Sequence, residues 1–378
     1  MTLTFHKTTS LGFCWKRHKS MGMRIAFRAD SSLAIGNGHV MRCVSLAQVL
    51  RTQGAQCIFL CSNAPGHLNG YLQAQEFEVR SLGSEHTDAR ESAESLMSNW
   101  QDDAHATLKA MAHERFDWLI VDHYGLDQRW ESLVSHHVPR LLVIDDLANR
   151  KHHCELLLDA NPGRRAEDYI DLTPDSCRIL AGPHYALIRE EIRRCRTGLP
   201  APIISETKLK ILVTLGGVDK DNITCDVLTA LDDFESEVPL TIQVVAGPFA
   251  PWVDAVMALS RSMRWPTRVA QNPSHFVEWM CTHDVAIGAA GTSALERCYL
   301  GLPSINFVLA PNQKNGAHAL REVHAAGLLE LNQDWEKSLH QQLHELLKPD
   351  LRQAMQEACT RVTDGRGTDR VTQEIWHV

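Results

Sequence analysis

Residues 24–54 read RIAFRADSSLAIGNGHVMRCVSLAQVLRTQG. A short apolar run, Arg24–Ala29, gives way to a polar loop holding Gly36 and Gly38, and apolar residues then recur at Val40, Cys43, Val44, Ala47 and Leu50. Offsets of three, four and seven define one face of a helix, and Gly54 supplies its stop. The unit is strand, glycine loop, helix. Further apolar runs follow at QCIFLC, WLIVD, LLVIDD and ELLLDA, and a second series comes at LKILVTLGG, TIQVVAG, DVAIGAAG and SINFVLA. Unbroken apolar strands separated by helices imply parallel sheets covered on both faces. Two such series predict an α/β chain of two Rossmann-like domains.

The length agrees, because 378 residues exceed what one ordinary core organises. Arg196–Lys208, RTGLPAPIISETK, is rich in proline and polar residues and precedes a fresh strand-and-turn pattern. It divides the chain into a first domain over 23–195, a linker over 196–207 and a second domain over 208–378, whose last helix is available to pack back on the first. Residues 1–22 are basic and acid-free, with no long apolar stretch and no small-residue cleavage site. They read as an extension upstream of a start at Met23, or as an amphipathic transit segment, and are expected to be poorly ordered.

Hydrophobic residues make up 44% and charged residues 22%, which are globular values. No run approaches the roughly 18 apolar residues of a membrane-spanning helix. Net charge is -8 and no dense Lys/Arg block lies beyond the amino terminus, which argues against a nucleic-acid groove. The expectation is a soluble cytoplasmic monomer whose partner is a small molecule, with neither nucleic acid nor membrane. The 11 cysteines include no C-x-x-C pair and read as reduced thiols. The 20 histidines include the adjacent pairs His136-His137 and His152-His153 but no H-E-x-x-H spacing, so no metal and no cofactor is expected.

In parallel α/β sheets ligands bind beyond the carboxyl ends of strands, where the glycine loops lie. The first loop places His39 at a helix start. Met41 breaks the dinucleotide fingerprint G-x-G-x-x-G, and no Gly-Lys pair exists for a P-loop. His39 is then either a polar residue at a helix start or a general base held neutral by the positive helix end. The second loop, GAAGTSALERCYLGLPSI from Gly288, also allows two readings. Ser293 and Glu296 fit an S-x-x-E capping box. Alternatively, Gly291, Thr292 and Ser293 hold a diphosphate while Glu296 accepts from ribose hydroxyls. Asn312-Gln313 suits sugar recognition or an ordinary turn, and TLGGVDKDN adds Gly216 and Gly217. Asp145-Asp146 reads as a cap or loop anchor rather than a catalyst.

Taken in order from Met23, RADSSLAIGNGHVMRC, VDHYGLDQRWE, LLVIDDLANR, LLLDANP, LAGPHYALIR, ILVTLGGVDKDN, IGAAGTSALERCYLGLPSI and PNQKNGAHAL resemble the UDP-2,4-diacetamido-2,4,6-trideoxy-β-L-altropyranose hydrolases of pseudaminic acid biosynthesis. That resemblance implies a GT-B-like architecture with the nucleotide held mainly by the second domain. It implies inverting, metal-independent hydrolysis of the UDP-sugar, with His39 activating water. Gly216, Gly217, Gly291, Thr292, Ser293 and Glu296 then fall on the UDP side, and Gly38, Tyr124, Asn161, Asn312 and Gln313 on the sugar side. The rivals are a GT-B glycosyltransferase that delivers the sugar to an acceptor, a non-catalytic nucleotide-sugar binding protein, and a dinucleotide-dependent oxidoreductase, which Met41 disfavours.

Overall fold

A computed structural model describes residues 22–83, 99–112, 114–198 and 207–378. All but the last residue of the amino-terminal extension, and most of the expected linker, lie outside the described residues.

The first sheet is built from β1 (Arg24–Ala29), β2 (Gln56–Cys61), β3 (Glu78–Ser81), β4 (Trp118–Asp122), β5 (Leu141–Ile144), β6 (Leu156–Asp159) and β7 (Arg178–Ala181). The second holds β8 (Leu209–Thr214), β9 (Leu240–Ala246), β10 (Thr267–Gln271), β11 (Val285–Ala289), β12 (Ser304–Val308) and β13 (Gly327–Glu330). Their orders are β3-β2-β1-β4-β5-β6-β7 and β10-β9-β8-β11-β12-β13, and every pairing is parallel. These are the two Rossmann-like domains that the two series of apolar runs predict. Each sheet reverses order at its first strand, so the crevice at its carboxyl edge opens beside β1 in one and β8 in the other.

Four strands lack the apolar run that announced the rest: β3, β7, β10 and β13. All four are sheet edges. A strand paired on one side and half in water needs no continuous apolar sequence, and β3 and β10 accordingly contain no fully buried residue.

The helices that position the site are α1 (Gly38–Thr52), α2 (Glu190–Gly198), α3 (Ile223–Asp233), α4 (Ser293–Leu300) and α5 (Gly367–His377). Helix α1 buries Val40, Cys43, Val44, Ala47 and Leu50, the face read from its spacing. They pack on Phe27 and Phe59, whose rings stack at 5.0 Å across the β1–β2 pair. Burying one such side chain contributes about 1.5–3 kcal/mol. Helix α2 continues through Gly198, so the first residues of the expected linker, Arg196–Gly198, are helical.

The chain closes on its own beginning. Val371 and Ile375 of α5 are fully buried in the same cluster as Ile25 and Phe27, and the Trp118 indole nitrogen donates to the Ile375 carbonyl at 3.1 Å. One cysteine reading needs correction. Cys195 on α2 is joined to Cys281, 86 residues away, so the chain is not uniformly a set of free thiols. No local spacing signals a pair that far apart. Cys43, Cys57, Cys61, Cys154, Cys177, Cys225, Cys298 and Cys359 are free. Among the described residues no helix is long and apolar enough to cross a membrane.

The docking of α5 has a measurable consequence. Ile375→Ala removes a fully buried side chain from the first domain's core and should lower unfolding free energy by about 2–5 kcal/mol in urea titrations. A loss below about 0.5 kcal/mol, the scale of an ordinary surface substitution, would show that the contact contributes nothing.

Candidate active site

The carboxyl edge of the first sheet carries three acids side by side: Asp122 ends β4, Asp145 follows β5 and Asp159 ends β6. Register places Asp122 opposite Ala29, the last residue of β1, and therefore under the first turn of α1. Its Oδ1 lies 2.5 Å from His39 Nδ1. Arg42, one turn along α1, donates from Nε to Oδ2 at 2.5 Å and from Nη2 to Oδ1 at 2.6 Å. Full burial pushes the Asp122 carboxyl upward, but Arg42 and then His39 outweigh that and hold it well below the usual carboxylate range.

Beside an ionised carboxylate the imidazole donates from Nδ1, which leaves the lone pair on Nε2. Nε2 makes no hydrogen bond among the described residues, although His39 is only 5% exposed. A base oriented by a buried acid, with its other nitrogen open, is the arrangement that general-base chemistry requires. The charge nearest the ring is thus Asp122 rather than the helix end weighed from sequence. The other histidine of this edge, His123, cannot share the role. Its Nδ1 accepts the Gly125 amide at 2.9 Å, and burial lowers its pKa to about 4.

Asp146 gathers the remaining groups. Its Oδ1 accepts from Arg42 Nη1 at 2.6 Å and from Asn161 Nδ2 at 3.3 Å, while Oδ2 accepts from the Tyr124 hydroxyl at 2.7 Å. Burial and Asp146 push the Tyr124 phenol far above its ordinary range, so it is a neutral hydroxyl. Its ring meets His39 edge-on at 4.4 Å. From the second domain, Asn312 Nδ2 donates to the same hydroxyl at 2.9 Å. Asp145 is the loop anchor its position suggests, accepting the Leu147 and Ala148 amides at 3.2 and 2.8 Å and Arg150 Nη1 at 2.6 Å. Asp159 is buried near Asp146, and its pKa is raised to about 6 by burial and by that neighbouring charge.

Across the cleft the two glycine loops of the second domain differ. Asp219 caps α3, its carboxylate taking the Ile223 and Thr224 amides at 2.9 and 3.0 Å, so that helix start is already occupied. Helix α4 has no such cap: neither Thr292 nor Ser293 makes a side-chain capping bond. The amides of Gly291, Thr292 and Ser293 donate to no other described residue. This overturns the capping-box reading. With Thr292 flanking the helix and Ser293 as its first residue, Glu296 falls one position beyond reach of the cap. It turns instead to Arg189, whose Nε and Nη2 grip its two oxygens at 2.6 and 2.7 Å.

The domains approach closely here. A side chain at Gly217 would put its Cβ 2.7 Å from Asn37 Nδ2, so the two loops meet there and the Asn37 amide would have to turn aside for any larger residue. A Cβ at Gly38 would lie 3.9 Å from Thr292 Oγ1, which sets the start of α1 against the start of α4. The structure therefore brings together Gly38, His39, Tyr124, Asn161 and Asn312, with Gly217, Gly291 and Thr292 facing them. Gln313 lies beside them: its Oε1 accepts from the Leu309 amide at 2.9 Å, and its Nε2 would be 3.8 Å from a Cβ at Gly291. A Cβ at Gly216 would meet open space, and Glu296, one turn along α4 from Thr292, has both oxygens held by Arg189. Sequence reasoning missed Asp122, Arg42 and Arg189. The signal for Asp122 was present: an acid closing an apolar run, WLIVD, at the edge where ligands bind. Among the described residues no group of three or more His, Cys, Asp or Glu side chains could hold a metal.

No family model matches the chain. It is 29% identical over 209 residues to the UDP-2,4-diacetamido-2,4,6-trideoxy-beta-L-altropyranose hydrolase of Campylobacter jejuni, a match covering 55% of this chain and 66%, just under two thirds, of that relative. It is 23% identical over 357 residues to the spore coat polysaccharide biosynthesis protein SpsG of Bacillus subtilis, across 93% of this chain and 97% of that one. Among solved structures, Acinetobacter baumannii MurG superposes with a TM-score of 0.64 at 16% identity, over 94% of this chain and 100% of its own. The spinosyn rhamnosyltransferase SpnG complexed with thymidine diphosphate gives 0.58 at 13% identity, over 93% of this chain and 100% of its own. The chain is a GT-B-like protein of two Rossmann-like domains, and in sequence it resembles the UDP-2,4-diacetamido-2,4,6-trideoxy-β-L-altropyranose hydrolases.

Proposed function

We propose that this protein is an enzyme that hydrolyses UDP-2,4-diacetamido-2,4,6-trideoxy-β-L-altropyranose at the anomeric carbon, releasing UDP and the free sugar for pseudaminic acid biosynthesis in the cytoplasm. One observation supports this most: α1 and α4 turn their amino ends toward each other, Gly38 opposite Thr292, beside the open nitrogen of His39. Each helix end is equivalent to roughly half a positive charge, so the two repel until an anion lies between them. A diphosphate suits that place, with the uncapped amides of Gly291, Thr292 and Ser293 directed at it.

In this scheme a water molecule is held at His39 Nε2 and attacks C1 from the face opposite the nucleotide. The bond from C1 to the diphosphate oxygen breaks, the new C1–O bond forms with inversion, and the water proton passes to Nε2. Asp122 stabilises the imidazolium that results. UDP leaves with its added charge met by the α4 amides, and no metal ion takes part. Tyr124, Asn161 and Asn312 line the sugar side. Each Glu296 oxygen has two acceptor positions, of which Arg189 occupies one, leaving one on each oxygen for the ribose hydroxyls.

The second reading is a glycosyltransferase using the same donor site, supported by a fold shared with MurG along 94% of the chain. The two part on product. Incubated with the UDP-sugar alone, the protein should release free sugar at a catalytic rate, with the inverted anomer seen first by NMR. Slow release that accelerates on adding an acceptor would decide for transfer.

The role of His39 is tested separately. His39→Ala should lose at least about a hundredfold in kcat while UDP affinity is kept, since general-base assistance is typically worth about 10²–10⁴-fold. Near-normal turnover would remove His39 from the mechanism. Asp122→Asn, which leaves the ring in place with its tautomer no longer fixed, should also lower kcat, by about 10²-fold or more.

A further inference from the structure

Behind the uncapped loop sits a buried cation with no salt-bridge partner among the described residues. Arg297, on the first turns of α4, is 0% exposed. Its Nη2 donates to the Ala289 carbonyl and to Asn306 Oδ1, both at 2.7 Å, and Nη1 donates to Ser293 Oγ at 3.1 Å. All three acceptors are neutral. Nε has no partner among the described residues, and Glu296, the next residue in the chain, acts on the guanidinium only through space while Arg189 holds its two oxygens. Gly288 makes the room, since a Cβ there would lie 2.7 Å from Nη1. Two further buried polar atoms on β12, Ser304 Oγ and Asn306 Nδ2, are also unpartnered.

A buried charge that lacks an opposite charge is costly, and proteins retain one where something offsets it. The guanidinium spans the turn from Ala289, the end of β11, to Ser293, the start of α4. It therefore holds the shape of the segment whose amides are open. Burial lowers its pKa to about 10, which still leaves it a cation at neutral pH.

We infer that Arg297 is the internal counter-charge of the anion-binding loop: a positioning residue that clamps the turn 289–293 from behind and is electrically balanced only when a diphosphate occupies the far side. This rests on the reading that the diphosphate binds at α4. Arg297 touches no substrate atom. It acts through the loop and through its field, which in a low-dielectric interior extends across several ångströms.

A role through charge must scale with the charge of the ligand. Uridine, UMP and UDP carry about zero, two and three negative charges at neutral pH and share one nucleoside. In Arg297→Gln the dissociation constant should be nearly unchanged for uridine, raised severalfold for UMP and raised about 10- to 100-fold for UDP by calorimetry. Equal weakening of all three ligands, or none, would overturn the inference while leaving the site intact. A wild-type protein that binds uridine and UDP alike would overturn the site reading itself, and this inference with it.

A second variant does not require removing the arginine. Asn306→Asp places a carboxylate against the guanidinium and supplies the missing counter-ion from within. It should raise the melting temperature of the ligand-free protein and weaken UDP binding at least about tenfold, with uridine binding little changed. A lower melting temperature together with unchanged UDP affinity would count decisively against the proposal.

Discussion

The carboxylate of Asp122 fixes the geometry of this protein's cleft. It stands at the end of a central strand, fully buried, and the three residues that bond to it, His39, Arg42 and Cys43, come from the first turns of one helix. Without that attachment α1 would be oriented only by its apolar stripe, which is wide enough to set its rotation loosely. With it, the imidazole ring is turned so that Nδ1 faces the acid and Nε2 points away from it. Arg42 extends the attachment to Asp146, and from there to Tyr124 and Asn161. Polar groups from three adjacent strand ends thus form one connected set, every member of which is held by charge-assisted hydrogen bonds.

The second domain contributes electrostatics of another kind. Its two glycine loops look alike in sequence, yet one helix start is neutralised by its own aspartate and the other is left open. That difference turns a symmetrical pair of loops into a directional site. At Gly217 the loop passes within reach of the Asn37 side chain, so the two domains meet beside these helix ends.

The fold was readable because central parallel strands are apolar throughout, and nine of them announce themselves that way. The edge strands β3, β7, β10 and β13 were not, because a half-solvated strand carries no such run. Within the site, residues whose function is local could be read from local spacing: the glycines, His39 at its helix start, Asp145 as an anchor. Residues whose function depends on a distant partner could not. Asp122 is 83 residues from His39 and Arg189 is 107 from Glu296, so neither pairing leaves a spacing signature. The capping-box motif misled for the same reason. Ser293 and Glu296 have the right separation, but the helix begins with Ser293 itself and a stronger, remote partner claims the carboxylate.

The return of the last helix to the first domain has a mechanical meaning. The chain passes between the domains twice, once through α2 and once just before α5, and the two passages are tied side by side where Arg193 meets Asp369 at 2.9 Å. A body attached along one line can swing about that line but cannot twist or slide. The double crossing therefore joins the two domains by two tethers fastened to each other, a constraint on how far one can twist against the other.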